Sequence, residues 1–305
     1  MIFPITDLLD DEHSKHWILE HFHPEGLRCP KCGSTRRRFF RETETSRLTV
    51  YRCLECEGIY NLYSDTLFEK KHLRPSQVVL LLKGVSKGES AMRLAEELGV
   101  SRSTVHELRK ELQENARRLQ PDTSLTDEHV ETDEMFQNAR EKGDRHPDPK
   151  DPPRGRANKR RGHGTYDNDR PPIIGSVGRR TGEARLRVIK HTDKETLLPH
   201  VHGYTPSEAT VYTDEWRAYE RIARKHRTVK HGIKEWARDD DGDGIREVHV
   251  NTIEGLWTTV RNFLRNFRGV HKKYLGGYVA MCEFAINLKR VTPAFISSLV
   301  ALHSV

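Results

Sequence analysis

The chain has 305 residues, of which 32% are charged and 35% hydrophobic, and its formal net charge is +7. This length allows one domain with a sizeable core and one or two smaller modules. The positive excess favours a polyanionic partner without identifying one. No apolar run approaches the roughly 18 residues that a membrane span needs, so we expect no membrane partner.

The N-terminal segment MIFPITDLLDDEHS is acidic and lacks the apolar centre of a signal peptide. Four of the five cysteines occur in two CxxC pairs, which suits a reduced compartment with a metal site better than a secreted disulfide framework. The fifth, Cys282, is expected to be a core residue. These features predict a cytoplasmic protein.

Two cysteine pairs, CPKC and CLEC, predict a structural zinc site in a first domain of residues 1–70. Residues 33–52 separate them, a spacing at the edge of the range for four-cysteine sites. Four thiolates complete a tetrahedral shell and leave no position for a catalytic water. Strand-like residues 36–40 and 48–52 between the pairs indicate a zinc ribbon. The predicted ligands are Cys29, Cys32, Cys53 and Cys56.

Residues 71–122 have the pattern of a helix-turn-helix-like module. One amphipathic helix ends at Gly99, and Ser101 is a suitable N-cap for the next, in which Val105 and Leu108 would pack inward. A plain helical hairpin with a solvated basic face has the same pattern, so both interpretations stay open. In the DNA-binding one, four outward side chains reach base edges or phosphates in a major groove: Arg102, Ser103, His106 and Arg109.

The third predicted domain, residues 123–305, contains a polar insert at 140–172 that is rich in proline and glycine. Its densest part, RGRANKRR, has five basic residues in eight. Such runs are usually solvated loops, but a run placed directly after an acidic strand also suits a clamp on a phosphate backbone. The basic residues of this clamp would be Arg154, Arg156, Lys159, Arg160 and Arg161.

The rest of this domain alternates strand-like and helix-like segments in the order β-β-β-α-β-α-β-α, which predicts a mixed α/β sheet of the RNase H-like kind. Three acids occupy informative positions in it. Asp133 lies in the first strand (HVETDEMF), Asp214 ends another (TVYTD), and Glu254 lies near the start of a helix (NTIEGLW). Two strands and a helix would thus bring three carboxylates to one place.

Strand alternation puts Asp133 on the face opposite Glu134, so Glu134 is expected to lie outside the Asp133 site. On the last helix, Glu254 lies at the border of the apolar stripe, and Arg261 and Arg265 on the same flank are placed to meet phosphates. Phosphodiester chemistry needs hard oxygen ligands that hold two divalent ions about 4 Å apart. Mg²⁺, or Mn²⁺ in its place, is the expected ion.

Six segments in one order resemble a known family: GLRCPKCGS, VETDEMF, IIGSVGR, VYTDEWRAY, HVNTIEGLW and YVAMCEFAINLKR. Nearly the whole chain is similar to DDE-type insertion-sequence transposases that carry an N-terminal zinc ribbon, the ISXO-like branch. The resemblance implies that Asp133, Asp214 and Glu254 are the catalytic triad. It also implies Mg²⁺ as the working ion, and recognition of terminal inverted repeats by the ribbon and the helical module.

Two features depart from the family pattern. The basic insert is long, and Met281 stands where an acid is usual, so the nearby Glu283 remains an alternative third carboxylate. The segment Asp239 to Gly244 (DDDGDG) imitates the start of a calcium loop. Position twelve of that loop would be Val250 and not the required glutamate, so a turn is the better interpretation.

The leading hypothesis is a transposase that cleaves double-stranded DNA at the ends of its element and joins the freed 3′-hydroxyls to target DNA. By family analogy it would act in the nucleoid, as a homodimer or larger assembly on DNA. Two alternatives stay open. One is a sequence-specific DNA-binding regulator that no longer catalyses, and the other is a metal-dependent nuclease such as a junction resolvase.

Overall fold

The computed structural model of the protein describes residues 10–139, 164–167 and 169–302. The described residues form two compact units. The first runs to Leu119 and also includes the residues from Leu288 onward, whereas the second is Gln120–Asn287. The C-terminal helix, Pro293–Val300, thus belongs to the first unit, although its sequence position suggested the third domain.

The first unit combines a small sheet with helices. The three strands are antiparallel in the order β1-β2-β3, and we call them the N-terminal sheet. The C-terminal helix packs on the helices Asp11–Phe22 and Arg102–Leu119 of the same unit. Its elements are α1 (Asp11–Phe22), β1 (Arg37–Glu42), β2 (Thr49–Cys53), β3 (Ile59–Tyr60), α2 (Pro75–Ser86), α3 (Ala91–Leu98) and α4 (Arg102–Leu119).

The helical module has the predicted boundaries for local reasons. Ser90 caps α3, and Gly99 ends it in the left-handed conformation (φ 64°), which glycine adopts without steric cost. The hydroxyl of Ser101 accepts the Thr104 N–H at 3.1 Å and so begins α4. Val105 is fully buried, as the pattern predicted.

Arg109 corrects the predicted DNA-facing set. It is only 3% exposed, and its guanidinium donates to the Glu89 carbonyl. The reason is helical periodicity, because residue 109 follows the buried Val105 by four positions and precedes the buried Leu112 by three. Arg109 therefore belongs to the inner face of α4, whereas Arg102, Ser103 and His106 are exposed as predicted.

The second unit is built on a five-stranded mixed sheet in the order β6-β5-β4-β7-β8. The pairs β4–β5 and β5–β6 are antiparallel, and β7 runs parallel to both β4 and β8. This topology is consistent with an RNase H-like transposase domain. Its elements are β4 (His129–Phe136), β5 (Pro172–Gly178), β6 (Ala184–Val188), α5 (Lys194–Tyr204), β7 (Thr210–Thr213), β8 (Lys225–Thr228), β9 (Ala237–Arg238), β10 (Val248–His249), α6 (Asn251–Arg265) and α7 (Leu275–Asn287).

The segment between β7 and β8 differs from the expected helix. Only a short 3-10 turn, Arg217–Tyr219, forms there. Tyr219 and Ile222 pack with Leu197 of α5 and Ile174 of β5, so the turn covers one face of the sheet. Burial of these side chains outweighs the weak helical signal of so short a stretch.

Each face of the sheet has its own apolar layer. One layer contains α5 and the 3-10 turn, and the other contains α6 and α7. The α6 side includes Met135 of β4, Tyr212 of β7 and Trp257 of α6. Because side chains alternate along strands, Asp133 and Asp214 share this side.

Among the helices of the described ranges, none is both long and apolar enough to cross a bilayer.

Candidate active site and metal centre

The parallel pairing of β4 and β7 places two of the predicted catalytic acids side by side. Glu131 of β4 pairs with Tyr212 of β7. This register, continued two places beyond its last pair, brings Asp133 next to Asp214, which directly follows β7, and the charge of Asp214 acts on Asp133. Asp214 is held in its turn by the Trp216 N–H, which donates to Asp214 Oδ1 at 2.9 Å. Both carboxylates are half-buried.

The third acid, Glu254, is held next to this pair by α6. It lies in the first turn of α6, and its side chain is exposed. Trp257, one turn later on the same helix, is 1% exposed, and its Nε1–H donates to Asp133 Oδ2 at 2.8 Å. A direct hydrogen bond therefore connects the helix of Glu254 to the carboxylate of Asp133.

A glycine makes room for this contact. Gly175 of β5 lies directly opposite Asp133 in the sheet. A Cβ at this position would come within 2.7 Å of Trp257 Cη2, closer than van der Waals contact allows. Gly175 therefore lets the indole lie over the strand within reach of Asp133.

Electrostatics also connect the three acids. Burial, together with the negative charges of Asp214 and Glu254, raises the pKa of Asp133 to about 7 against the lowering effect of the Trp257 hydrogen bond. Like charges near one another disfavour ionisation, which a divalent cation between them would reverse. The cluster thus has the charge character of a cation site.

Glu131 fixes the start of α6. It is fully buried, and α6 has no side-chain cap of its own. Instead, Glu131 Oε2 accepts the Ile253 N–H at 2.9 Å, and Oε1 accepts the Thr252 hydroxyl at 3.0 Å. A carboxylate at a helix N-terminus satisfies orphan N–H groups and is stabilised by the helix dipole. Strand β4 therefore carries both Asp133 and the residue that positions the helix of Glu254.

Arg179, just after β5, neutralises the buried Glu131. Its Nε donates to Glu131 Oε1 at 2.7 Å, and its Nη1 and Nη2 donate to the carbonyls of Glu247 (2.8 Å) and His249 (2.6 Å). The guanidinium carbon also lies 3.6 Å from the centroid of the Tyr212 ring. One side chain thus connects β4, β7 and the segment that leads into α6.

The sequence alone predicted no role for Glu131, Trp257 or Arg179. The alternation Glu131, Asp133 on one strand is a signal that could have indicated a joint role for the two acids. The partners of Glu131 lie far along the chain, so sequence spacing alone does not reveal them.

Glu134 lies closer to the site than alternation suggested. Glu134 is on the opposite face of β4. Burial, together with the charges of Asp133 and Asp214, nevertheless raises the pKa of Glu134 to about 8. Tyr219, which is fully buried, is a further neighbour of Glu134. The expectation that Glu134 lies apart from Asp133 therefore holds for the strand face and not for the electrostatics.

Glu283, the alternative third carboxylate, is engaged elsewhere. It is fully buried on α7, where its Oε2 accepts the Leu186 N–H at 2.8 Å and pairs with Arg187 at 3.0 Å. Both partners lie on β6, at the edge of the sheet on the far side of β5 from β4. Glu283 therefore connects α7 to this edge strand.

The remaining predicted DNA contacts have different outcomes. Arg261 and Arg265 of α6 are exposed, as expected for groups that meet phosphates. Five lie outside the described residues: Arg154, Arg156, Lys159, Arg160 and Arg161.

The four cysteines of the two CxxC pairs come together as predicted. Their sulfurs all lie within 4.8 Å of one another, and the pairs Cys29–Cys56 and Cys32–Cys53 are 3.5 Å apart. A tetrahedral zinc with Zn–S bonds of about 2.3 Å separates its sulfurs by about 3.8 Å. Backbone N–H groups at Cys56 and Glu55 lower the pKa of Cys53 to about 7. The cluster is therefore compatible with structural zinc.

Besides the four cysteines, one further group in the described part of the chain has metal-ligand spacing, and it consists of acidic residues. Ligand atoms of Asp239, Asp241 and Glu247 lie within 4.8 Å of one another. Asp239 accepts the N–H groups of Gly242 (2.7 Å) and Gly244 (2.9 Å), as in the predicted turn.

Comparison with known proteins agrees with this architecture. A protein of transposable element ISH50 from Halobacterium salinarum is 26% identical over 283 residues, which is 91% of each chain. A transposase-like protein of Haemophilus influenzae is 24% identical over 103 residues, 33% of this chain and 77% of that protein. The two similarities point to the proteins of mobile DNA elements.

The family model of the ISXO2-like transposase domain matches residues 125–287, more than half of the chain. The chain belongs to this family of insertion-sequence transposases, which confirms the resemblance found in the sequence. A solved structure of a simian T-cell lymphotropic virus intasome with the PP2A regulatory subunit B56 gamma is also similar. It has 13% identity and a TM-score of 0.30 and covers 70% of this chain and 69% of that one, which is too weak a similarity to support an argument.

Replacing Glu131 with glutamine is expected to destabilise the protein by about 3 kcal/mol, because the half-buried Arg179 loses its counter-charge. Urea denaturation measures the change. The exposed Glu128 provides the matched control, and Glu128→Gln should stay within about 0.5 kcal/mol of wild type. A loss below about 1 kcal/mol in Glu131→Gln would show that the pair does not hold α6 in place.

The stability that Asp133 and Glu134 contribute without added Mg²⁺ is expected to fall as the pH rises from about 5 to 8. The pKa values of Asp133 and Glu134, about 7 and about 8, exceed the ordinary values of about 4. The folded chain therefore binds more protons than the unfolded chain in this window, so rising pH favours unfolding. Melting curves at several pH values, with zinc retained, measure the effect.

Adding Mg²⁺ should raise the melting temperature more at pH 8 than at pH 5, because the cation competes with protons for the same carboxylates. Asp133→Asn should flatten the metal-free pH dependence. The same metal-free pH dependence of the melting temperature in wild type and in Asp133→Asn would contradict the prediction.

Cys53→Ser is expected to abolish zinc binding and to lower the melting temperature of the first unit, because a structural metal contributes folding free energy. Elemental analysis of protein purified under reducing conditions measures the zinc. Cys282→Ala is the matched control, since Cys282 lies on α7 of the second unit, is not part of the four-cysteine group and should not change the zinc content. Wild-type protein that folds without zinc would contradict the assignment.

Proposed function

We propose that this protein is an active DNA transposase that cleaves DNA strands at the ends of its element and joins the 3′-hydroxyls to target DNA. Asp133, Asp214 and Glu254 are its catalytic carboxylates in this proposal. Two observations support the proposal: the register of β4 and β7, which when continued brings Asp133 next to Asp214, and the Trp257 hydrogen bond that connects the helix of Glu254 to Asp133.

The donor set fits divalent ions that prefer oxygen ligands, such as Mg²⁺ or Mn²⁺. Three carboxylates converge from a strand, a strand end and a helix, and the raised pKa of Asp133 indicates a site with too much negative charge for its burial. Among the described residues, the three acids do not form a group with all ligand atoms within 4.8 Å of one another. This suits two ions held side by side, because the ligands of two ions need not all approach one another.

Bound divalent ions would supply an activated oxygen nucleophile and stabilise the leaving oxygen. In strand cleavage, the oxygen of water forms a bond to phosphorus as the bond from phosphorus to the 3′-oxygen breaks, which leaves a 3′-hydroxyl. In strand transfer, that hydroxyl attacks a target phosphodiester, again with one P–O bond formed and one broken. Asp133, Asp214 and Glu254 hold the charge that this geometry requires.

Other side chains position these groups. Trp257 orients the Asp133 carboxylate, Glu131 with Arg179 sets the start of α6, and the Trp216 N–H orients Asp214. On the exposed side of α6, Arg261 and Arg265 follow Glu254 at helical spacing, which suits contacts to the phosphates next to the cleaved bond.

The N-terminal unit supplies DNA binding in this proposal. The cysteine cluster with the N-terminal sheet is a zinc ribbon, and helices α3 and α4 form the helix-turn-helix-like module. The two together would recognise the terminal inverted repeats of the element, and a dimer or larger assembly would bring two ends together.

Asp214→Asn and Glu254→Gln are expected to reduce strand cleavage and strand transfer at least about 1,000-fold while DNA binding persists, because each removes a charged metal ligand at little change in shape. The assay uses duplexes from the DNA that flanks the gene, with Mg²⁺ or Mn²⁺, and gel analysis of cleaved and joined strands. Glu220→Gln, an exposed acid close to Asp214 in sequence, is the control and should retain wild-type activity.

Different failures of this assay have different meanings. Normal strand transfer by Asp214→Asn would overturn the assignment of the triad. Tight DNA binding by wild type without any metal-dependent cleavage would favour the DNA-binding regulator. Cleavage without joining would favour the nuclease.

A further inference from the structure

We propose that residues 230–236, which we call the tryptophan loop, bind an unpaired DNA base, with the ring of Trp236 stacked on that base. The base is one that lies next to the end of the element, where the strand is cut. The inference rests on the proposed function, because it adds a base-binding position to the catalytic unit. The loop begins two residues after β8 and belongs to the second unit.

The tryptophan loop lies at the edge of the sheet that carries the catalytic acids. Strand β8 is parallel to β7, with Thr213 opposite Thr228, and the Val229 N–H donates to the Thr213 carbonyl at 3.1 Å. Asp214 and the loop therefore follow neighbouring parallel strands at the same edge. The carboxyl ends of parallel strands are the usual place for a ligand in open α/β sheets.

Glu215, the residue after Asp214, fixes the start of the loop. Its Oε2 accepts the His231 N–H at 2.6 Å, and its Oε1 accepts the Gly232 N–H at 2.8 Å. A Cβ at Gly232 would lie 2.9 Å from Glu215 Oε1, so the glycine lets the carboxylate approach the backbone. Two charge-assisted hydrogen bonds thus connect the loop to the neighbour of Asp214.

The other end of the loop is connected to the helix of Glu254. Strand β9 follows the loop directly and pairs with β10, with Ala237 opposite His249. Strand β10 in turn leads into α6, whose first turn contains Glu254. The loop therefore runs from the neighbour of one catalytic acid to the strand pair that precedes another.

Two large apolar side chains of the loop are exposed to water. Ile233 is 72% exposed and Trp236 is 63% exposed. The centroids of the His231 and Trp236 rings are 4.9 Å apart, so the indole packs on the residue whose N–H Glu215 accepts. An aromatic ring that is supported on one side and open to solvent is typical of a contact surface.

The charges of the loop favour a polyanionic ligand. Lys230 and Lys234 are exposed. The acid Glu235 is engaged, because its Oε1 accepts the Lys230 N–H at 3.2 Å and pairs with Arg238 Nη1 at 2.7 Å. An exposed indole together with exposed lysines has the aromatic and basic character of a surface that binds single-stranded nucleic acid.

The depth of the catalytic acids explains why an unpaired base is the ligand. Asp133 and Asp214 are half-buried, so a phosphodiester reaches them when its strand leaves the regular path of the duplex. The base next to that phosphodiester then loses stacking with its neighbours. An aromatic ring at the same edge of the sheet replaces the lost stacking. Because every base has such a face, the contact favours strand opening more than sequence recognition.

A second copy of the chain is a poorer fit for the loop. In a two-fold symmetric contact the same patch meets itself, so the exposed lysines would approach one another. Such a contact would also cover the edge of the sheet at which the catalytic acids receive DNA. We therefore assign the exposed indole to DNA.

The test couples one side chain to one base. The full chain with zinc bound is mixed with a fluorescein-labelled duplex of the element end and with Ca²⁺, which also prefers oxygen ligands, and anisotropy measures the affinity. The duplex carries mismatches at the element end, so its bases there are already unpaired. Each of these bases is removed in turn as an abasic site, which takes away only a stacking face.

Removal of one particular base should weaken binding by wild type about tenfold, the effect of one stacked base. Trp236→Ala should bind the complete duplex about tenfold more weakly than wild type, and removal of that base should then cause no further loss, because the two changes delete the same contact. Trp236→Phe keeps a flat ring and should retain most of the coupling. Trp236→Leu is apolar without a flat ring and should behave like Trp236→Ala.

Glu215→Ala tests whether Glu215 positions the loop. It removes the acceptor of two loop N–H groups, so the effect of base removal should fall from about tenfold to below about threefold. Glu220→Ala, an exposed acid in the same connection, is the matched control and should keep the tenfold effect. Tyr274→Ala removes an exposed aromatic ring elsewhere in the second unit and should keep it as well. Equal melting temperatures show that the variants are folded.

The proposal is overturned if no base at the element end shows this coupling to Trp236, or if Trp236→Leu binds like wild type. It is also overturned if Trp236→Ala abolishes a DNA-free dimer in sedimentation velocity and leaves DNA binding unchanged, because the loop would then bind a second copy.

Failure of the proposed function gives a different result. Coupling between Trp236 and a base at the element end, in a wild-type protein that neither cleaves nor joins DNA with Mg²⁺, would overturn the catalytic proposal and leave this inference standing. Normal strand transfer without coupling at any base would do the opposite.

Discussion

The buried carboxylate of Glu131 is the interaction on which the geometry of the site depends. A fully buried anion is stable only with compensating partners. Glu131 obtains them from the start of α6 and from Arg179. Because Glu131 precedes Asp133 by two positions on one strand face, satisfying its charge also sets where Glu254 lies relative to Asp133. The need to compensate the buried charge of Glu131 therefore constrains the spacing of Asp133 and Glu254.

A second constraint comes from Trp257, which fills the space above Gly175 and donates to Asp133. The effect of Trp257 on the pKa of Asp133 is opposite to the effect of the neighbouring acids. The hydrogen bond favours the ionised form of Asp133, whereas burial and the charges of Asp214 and Glu254 favour the protonated form and raise its pKa. Carboxyl groups balanced in this way can hold protons without a metal, and a bound cation would displace those protons into solvent.

Much of this arrangement follows from local sequence. The period of two in HVETDEMF predicted the faces of β4, and the apolar spacing after NTIEGLW predicted the buried side of α6. The paired cysteines predicted their own cluster, because each CxxC turn presents two sulfurs. Local pattern was insufficient where the partner is distant. Arg109 carries a charge that suggests solvent, yet its helical position and the Glu89 carbonyl place it inside. The proximity of Glu134 to Asp214 and the engagement of Glu283 by β6 likewise depend on sheet order, which no single segment encodes.

The same contrast separates the two units. The second unit buries its charges and satisfies them internally, as Glu131 with Arg179 and Glu283 with Arg187 show. The N-terminal sheet does the reverse on β1, where arginines and phenylalanines are exposed together. Internal satisfaction serves a site that needs fixed distances between a few atoms.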